Sequence, residues 1–541
     1  MLCRQGDAFS SFKDNTLVLD ISSDPKSFNP IIAQETSTTA VTQYLFNGLT
    51  RINYETGEVE GDLAEDWTVD ATGRIWTFTL RKGLKWSDGK LLTAEDVKFT
   101  FDDLVYNQDL IVPARDIFVF QTKKMSIEVQ DDRTVIFKLP VSFAPFLVSM
   151  TQPVMPKHVL SDVVSNKRFS SAWGLGEDLS NIVGAGPFVV KKYIPGERIE
   201  LARNSHYWKS SPDGDRFPRL DRIVLLVTPN AENRILKFIE GVTDAYVLRG
   251  MDYPVLKPRE KVGKYKLVDV GPNVGSSFLS FNFNAKDKFK QNLFRNKQFR
   301  QAVAYALDRG SMIDIVFNGL GVRQCSAVSP SVPFYCNENI ACAPYDKAKA
   351  RELLQSNGFE DRDGDGIRED YDGNDLEFVL ITVAGNKVYR DVADIIREDL
   401  ARVGIKVHLR ILEFNSLVVR LTATGEWDAV VIGLTGGIDP HFGANVWRAD
   451  GSLHFWNMHG EYEGWEKRTH EIFNEAMSEM NRDNRKKLYD EWQVITAEEF
   501  PVIYTVLPKV IYAVRDRVIN LKPKVLGGLF HNIEEITVED E

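Results

Sequence analysis

The chain is poor in cysteine, histidine and basic runs, and each shortage removes a class of function. Four cysteines occur in 541 residues: Cys3, Cys325, Cys336 and Cys342. The last three share one loop, CSAVSPSVPFYCNENIAC, with no CxxC pair and no histidine pair after it. A zinc site is therefore weakly signalled, and a disulfide between two of the three is the better reading in an oxidising compartment. Lysine and arginine number 66 against 77 acids, a net charge of -11 with no basic cluster. Nucleic-acid binding, which rests on neutralising phosphates, is not expected. No apolar stretch approaches the roughly 18 residues that span a bilayer. The first residues, MLCRQGDAFSSFKDN, hold no apolar signal core, which leaves a cytosolic chain or one whose leader is not in this sequence. Also missing are a nucleophile elbow, an HExxH pair and any Cys-His arrangement. Gly184-Ala185-Gly186-Pro187 lacks the further glycine, the lysine and the helix of a phosphate loop. An enzyme is not expected, and no cofactor is indicated. The acid pairs Glu65-Asp66 and Asp102-Asp103 read as turn and helix-face charge.

What is present is ordinary globular material, 43% hydrophobic and 26% charged, in a chain too long for one core, so two or three lobes are expected. Thr16 to Ile21 reads as a first strand, and Ile75 to Leu80 (IWTFTL) alternates as a half-buried one. Thr93 and Asp96 have capping-box spacing before a helix with Val97, Phe101, Leu104 and Val105 on one face. Strand Arg222 to Val227, helix Asn230 to Ile239 and strand Asp244 to Leu248 form a βαβ-like unit. Ser277 to Phe283 is a strand, and Leu293 to Gly319 two short helices separated by Gly310 and closed by Gly319, with Phe299, Val303 and Leu307 as the core-facing stripe. A further helix, Asp346 to Asn357, stops at Gly358. Trp173, Trp427, Trp447 and Trp456 sit in loop-like sequence; most suit packing, while any exposed in a cleft would suit a small organic ligand or peptide.

The most regular part is Leu376 to Leu434, read as strand, helix to Gly404, strand Ile405 to Ile411, helix, and strand Ala429 to Leu434. That order predicts a mostly parallel sheet with helices on its faces, and ligands bind beyond the carboxyl ends of such strands. Thr435-Gly436-Gly437 stands at that end, followed by Ile438-Asp439-Pro440. Glycines there let a second backbone come close. After a long polar helix, Asn484 to Glu499, the run PVIYTVLPKVIYAV from Pro501 reads as one or two late strands that must rejoin an earlier sheet, with the first lobe's a candidate.

Several long motifs, in order, resemble the extracellular solute-binding proteins of family 5. They are LAEDWTVDATGRIWTFTLRKGLKWSDGKLLTAEDVKFTFDDL, FRQAVAYALDRGSMIDIVFNG, YDKAKARELLQSNGFEDRDGDGIRE, WDAVVIGLTGGIDP and PVIYTVLP, and the similarity runs from about Thr16 to about Phe530. The resemblance implies an α/β, two-lobed fold of the class II periplasmic-binding-protein type with an extra domain, its mixed sheets flanked by helices. It implies a flexible tether over 1–15 and a discontinuous domain I of 16–44, 182–270 and 503–541. Domain II would be 45–181 and domain III 271–502. Two crossing segments, near Gly271 to Gly275 and near Phe500, would form a hinge that closes on ligand.

The implied function is an extracytoplasmic receptor of an ATP-binding-cassette importer. It would hold a peptide or similar small solute between its lobes and deliver it to a membrane permease, as a monomer. Cleft candidates are Phe28, Asn29 and Thr36, with Leu434, Thr435, Gly436, Gly437, Asp439 and Trp447. In peptide-binding relatives an acid shortly before the Asp-Pro holds the peptide's ammonium group; here that position falls on Gly436 or Gly437. The implied place is the periplasm or the outer face of a bacterial cytoplasmic membrane, with Cys3 as a lipidation candidate and the membrane touched only through that anchor. Two alternatives stand beside this reading. One is a nickel or metal-chelate ligand, to which His441, His454 and His459 would contribute. The other, from a different class, is a hydrolase working in the same cleft. Asp361, Asp363 and Asp365 have calcium-loop spacing, with Asp372 in the twelfth position, but a plain turn is the favoured reading.

Overall fold

Apolar alternation and capping residues set most elements. The computed structural model describes residues 15–120, 123–211, 213–458 and 460–539, so Cys3, nearly all of the 1–15 segment and His459 lie outside the described residues. The chain divides into two units, one of Met1–Asp269 with Ile511–Glu541, the other Val270–Val510.

In the first unit, β1 (Thr16–Ile21) is followed by α1 (Thr36–Thr42), β2 (Ala64–Val69) and β3 (Ile75–Leu80). The alternation of β3 is realised: Trp76, Phe78 and Leu80 are buried and Ile75 is exposed. At the start of α2 (Ala94–Phe99) the Thr93 amide donates to Asp96 Oδ2 at 2.9 Å; the helix continues as π-helical turns over Thr100–Val105, and Val97, Phe101, Leu104 and Val105 are all buried. Next come β4 (Ser126–Asp131), β5 (Thr134–Lys138), β6 (Phe188–Ile194), β7 (Arg198–Arg203) and β8 (Arg222–Val227). Two four-stranded sheets result, β2-β3-β5-β4 and β1-β8-β7-β6, with β1 and β8 parallel. Helix α3 (Ala231–Ile239) is capped by Asn230, whose Oδ1 accepts from the amides of Glu232 and Asn233. The expected βαβ unit does not close. β9 (Ala245–Val247), after α3, leaves the β8 sheet and pairs antiparallel with a strand from the far end of the chain. Hydrophobic pattern specifies a strand but not which edge it joins.

The chain enters the second unit along β10 (Tyr265–Pro272) and continues as β11 (Ser276–Phe281), α4 (Lys288–Arg295) and α5 (Lys297–Ala306). The expected break at Gly310 falls instead at Leu307–Asp308, because the Asp308 carboxylate accepts the Ser311 amide and starts the next helical turn with Gly310 inside it. After β12 (Gly321–Arg323) and α6 (Lys347–Ser356) come β13 (Glu377–Val383), α7 (Lys387–Ala401), β14 (Lys406–Leu412), α8 (Phe414–Val419) and β15 (Ala429–Leu434). Gly404, at φ +85°, makes the left-handed turn between α7 and β14 that a side chain would resist. The unit ends with α9 (Ala444–Trp447), α10 (Gly464–Ser478), α11 (Arg482–Glu499) and β16 (Val502–Tyr504).

Its sheet has the order β14-β13-β15-β11-β16. β13 is parallel to β14 and β15 as expected, but β11 enters antiparallel between β15 and β16, so the sheet is mixed. The late run from Pro501 splits. β16 joins this second sheet, while β17 (Val506–Arg515) pairs with β12 in its first half and with β9 of the first unit in its second. The return to the first unit falls between Val510 and Ile511, downstream of Phe500. Of the loop cysteines, Cys325 and Cys342 form the disulfide, and Cys336 is buried as a free thiol.

Candidate functional site

β15 is made for burial, with Ala429, Val430 and Val431 wholly inside, and it pairs with β11 from Phe281↔Ala429 to Ser276↔Leu434. At its carboxyl end the backbones draw together. A Cβ on Gly436 would lie 1.8 Å from the Val274 carbonyl oxygen, and one on Gly433 2.3 Å from that of Ser276. The close approach read from the glycines is thus first an approach to the chain's own lead into β11. Gly437 differs: a Cβ there meets nothing within 4 Å.

Beyond these glycines lies a cavity of about 300 Å³ whose lining comes from the second unit alone. Leu434, Thr435, Gly436 and Gly437 form one side, largely as backbone. Trp447, Trp492 and Tyr504 form an aromatic wall, with Val274, Val328 and Val332 completing the apolar surface. The wall is held from behind: the Trp447 and Trp492 rings meet edge to face at 5.0 Å, and Trp456 packs on Trp447 at 5.3 Å.

Among the described residues the one charged group in the lining is Asp439, and its carboxylate is engaged within the protein. Asp439 Oδ1 accepts from the His441 amide at 2.9 Å, starting the short helical turn Pro440–Gly443. Arg485, on α11, donates Nη1 to Asp439 Oδ2 at 2.5 Å and Nη2 to Oδ1 at 2.8 Å. The same guanidinium donates to Tyr335 Oη at 2.6 Å, Tyr489 Oη at 3.2 Å and the Ala476 carbonyl at 2.8 Å. All five of its N–H donors are used, the condition under which a buried pair is tolerated. Burial, with the Asp439 charge acting in the same direction, pushes the Tyr335 hydroxyl up to about 12. Burial also pulls the His441 imidazole down to about 4, here against the opposing influence of Asp439. Two other wall groups are not satisfied. Trp492 Nε1 and Tyr504 Oη are buried with no hydrogen-bond partner among the described residues. Burial raises the Tyr504 hydroxyl far above its usual range, so it stays protonated.

Of the residues expected at the site, Leu434, Thr435, Gly436, Gly437, Asp439 and Trp447 converge on this cavity. Phe28, Asn29 and Thr36 belong to the first unit. Phe28 and Asn29 are fully buried, Phe28 edge to face with Tyr193 at 5.9 Å and Asn29 Oδ1 accepting the Ile31 amide at 3.0 Å, whereas Thr36 is exposed at the start of α1. Trp492 and Tyr504 were not foreseen. The one signal for Trp492 was a tryptophan in an otherwise polar helix, and Tyr504 sat within the late strand run.

The metal candidates fare as follows. His454 is buried with Nδ1 3.0 Å from the Val446 carbonyl and Nε2 3.2 Å from Glu466, so both ring nitrogens are engaged. Asp361 and Asp363 approach Glu369, rather than Asp365 or Asp372, closely enough to share an ion. Their oxygens already serve the turn, Asp361 accepting the amides of Gly364 and Gly366 and Asp363 that of Asp365. Among the described residues no helix is long and apolar enough to cross a membrane.

The description "Bacterial extracellular solute-binding proteins, family 5 Middle" matches residues 58–453. A probable ABC transporter-binding protein of Deinococcus radiodurans is 30% identical over 92% of this chain and 87% of its own length. The dipeptide-binding protein of Escherichia coli is 27% identical over 98% of this chain and 96% of its own. Among solved structures, the oligopeptide-binding protein AppA of Bacillus subtilis, in complex with a nonapeptide, superposes with a TM-score of 0.73 at 25% identity, covering 98% of this chain and 100% of that one.

Proposed function

Because the chain belongs to the bacterial extracellular solute-binding proteins of family 5, we propose that it is the receptor of an ABC importer and that its solute is a peptide. The observation that carries this reading is the 300 Å³ cavity at the carboxyl end of β15, in a chain whose relatives include peptide-binding proteins along nearly their whole length. Relatives of this family are receptors, and a binding role without turnover fits a site whose one carboxylate is locked to an arginine. The cavity is at the small end of the range for ligand sites, so it houses one residue or one end of a peptide. The remaining cleft candidates Phe28, Asn29 and Thr36, the division into three domains, the monomeric state and the place outside the cytoplasm belong to the same proposal. So does a lipid on Cys3, for which intact-mass measurement of the native protein is the check: an unmodified Cys3 removes the anchor.

The test is thermal unfolding of the native protein with defined peptides of two to nine residues. A ligand bound only by the folded form stabilises it by about 2.7 kcal/mol at a hundred times its Kd. A concentration-dependent rise in Tm without product is expected. Product release would favour a hydrolase, and no shift with any peptide would remove peptide as the solute.

A further inference from the structure

The cavity's unused polar groups say what kind of group it takes. Among the described residues Asp439 is the one charged group in the lining, and both its oxygens are engaged, by Arg485 and by the His441 amide. Among the described lining residues an incoming ammonium would find no free counter-ion, and an incoming carboxylate no free cation. Either would lose its hydration to apolar and aromatic surface, a penalty that buried charges bear only when paired. The indole N–H of Trp492 and the hydroxyl of Tyr504 have no partner among the described residues, but both atoms are buried behind the wall's surface and offer almost none of it to an entering group. Donors for an entering acceptor therefore lie at the cavity's open side. Thr435 and the exposed main chain of Gly436 and Gly437 add uncharged polar contacts at the open side.

We propose that this cavity selects an uncharged, largely apolar group bearing a hydrogen-bond acceptor, such as an aromatic or aliphatic residue whose neighbouring nitrogen is acylated, and that it discriminates against a free amino terminus. The inference deepens the receptor reading and rests on it for the identity of the site, but it concerns the charge class of whatever enters. A peptide would then present an internal residue or a blocked end here. A small amide would be accepted for the same reason. Gly437 is the position at which this selectivity can be reversed, because a side chain there has open space, whereas one at Gly436 would strike the Val274 carbonyl.

The experiment uses the native chain and three matched probes: N-acetylphenylalanine amide, phenylalanine amide and N-acetylphenylalanine, which are neutral, cationic and anionic. Binding is read by calorimetry and by quenching of tryptophan fluorescence. The neutral probe should bind at least tenfold more tightly than either charged one. Gly437→Asp should reverse the order of the neutral and cationic probes while leaving Tm nearly unchanged. Tyr504→Phe should leave the affinity for the neutral probe nearly unchanged, because its hydroxyl is buried behind the wall, and Trp492→Phe should reduce the quenching. Equal or tighter binding of phenylalanine amide by the unaltered chain overturns the inference. So does the absence of measurable neutral-probe binding, or an order of affinities that Gly437→Asp does not move. If no peptide stabilises the protein yet the neutral probe binds as described, the peptide reading fails and this one stands.

Discussion

Asp439 in the second unit and Asp62 in the first are both buried acids near an arginine, yet the two regions treat them differently. Arg485 spends all five donors on Asp439 and its immediate neighbours, and Asp439 is doubly held. Arg51 is divided: Nε goes to Glu60 at 2.6 Å and Nη1 to both oxygens of Glu534 at 3.2 Å. Among the described residues Asp62 keeps only the Asn47 amide, at 2.5 Å on Oδ2, and its buried Oδ1 has no partner. Burial therefore raises Asp62 to about 6, despite Asn47 and Arg51, while Glu534 is held below its usual range by Arg51 and Lys209 in spite of burial. Proximity to an arginine does not settle a buried acid; the allocation of its donors does.

The comparison breaks or holds at measurable places. Arg485→Met should cost the most, about 3–5 kcal/mol by chemical denaturation, since it strands Asp439 in the interior. Arg51→Met should cost less than half as much, because Lys209 and Tyr207 still serve Glu534. Equal costs would show that donor allocation is not the difference.

Next come two pH slopes of opposite sign. Asp62 has a folded value raised from 3.8 to about 6, so its stabilising contribution is full below pH 3.8 and is lost as pH rises through about 6. Relative to the unaltered chain, Asp62→Asn should gain on the order of 2 kcal/mol between those limits, since each pH unit separating them is worth about 1.4 kcal/mol and relaxation around the charged form recovers part of it. His441 has a folded value lowered from 6.5 to about 4, so its contribution is present above pH 6.5 and lost as pH falls through about 4. His441→Gln should flatten that acid-side loss by a similar amount, and unfolding measured at pH 4, 6 and 8 decides both. Slopes of the same sign would refute the contrast.

The smallest effects lie at the strand end. Gly436→Ala should cost about 1–3 kcal/mol, since a Cβ 1.8 Å from a carbonyl oxygen forces β15 away from the lead into β11. Gly437→Ala should stay within about 0.5 kcal/mol. If the two are equal, the close packing of these backbones is not as described.

Much of the fold was legible. β3, the capped helix from Ala94 and the strand–helix series from Glu377 to Leu434 follow from periodicity, caps and the glycine at 404, which act within a few residues. The break at Asp308 was misplaced because a glycine in a helix is tolerated when an aspartate caps the turn that contains it. The βαβ unit misled because β9 has the right pattern for a strand and no local mark of its partner. At the site, six residues close together in sequence were found, while Trp492 and Tyr504 arrive from α11 and β16.

Local pattern is enough to place a buried strand that ends in glycines before Asp439-Pro440, and the order of motifs is enough to reach a family of solute-binding receptors. Those are properties of short segments and of their order along the chain. It takes the folded chain to make Gly436 a steric necessity and Gly437 an open surface, to pair Cys325 with Cys342, and to engage the Asp439 carboxylate before any ligand arrives. Each of these depends on where a distant segment comes to rest, Val274 in the first case, the loop's far end in the second and Arg485 in the third. Packing and hydrogen bonding act through space over a few ångströms, and one chain's pattern does not say which of its remote residues will fall within that reach.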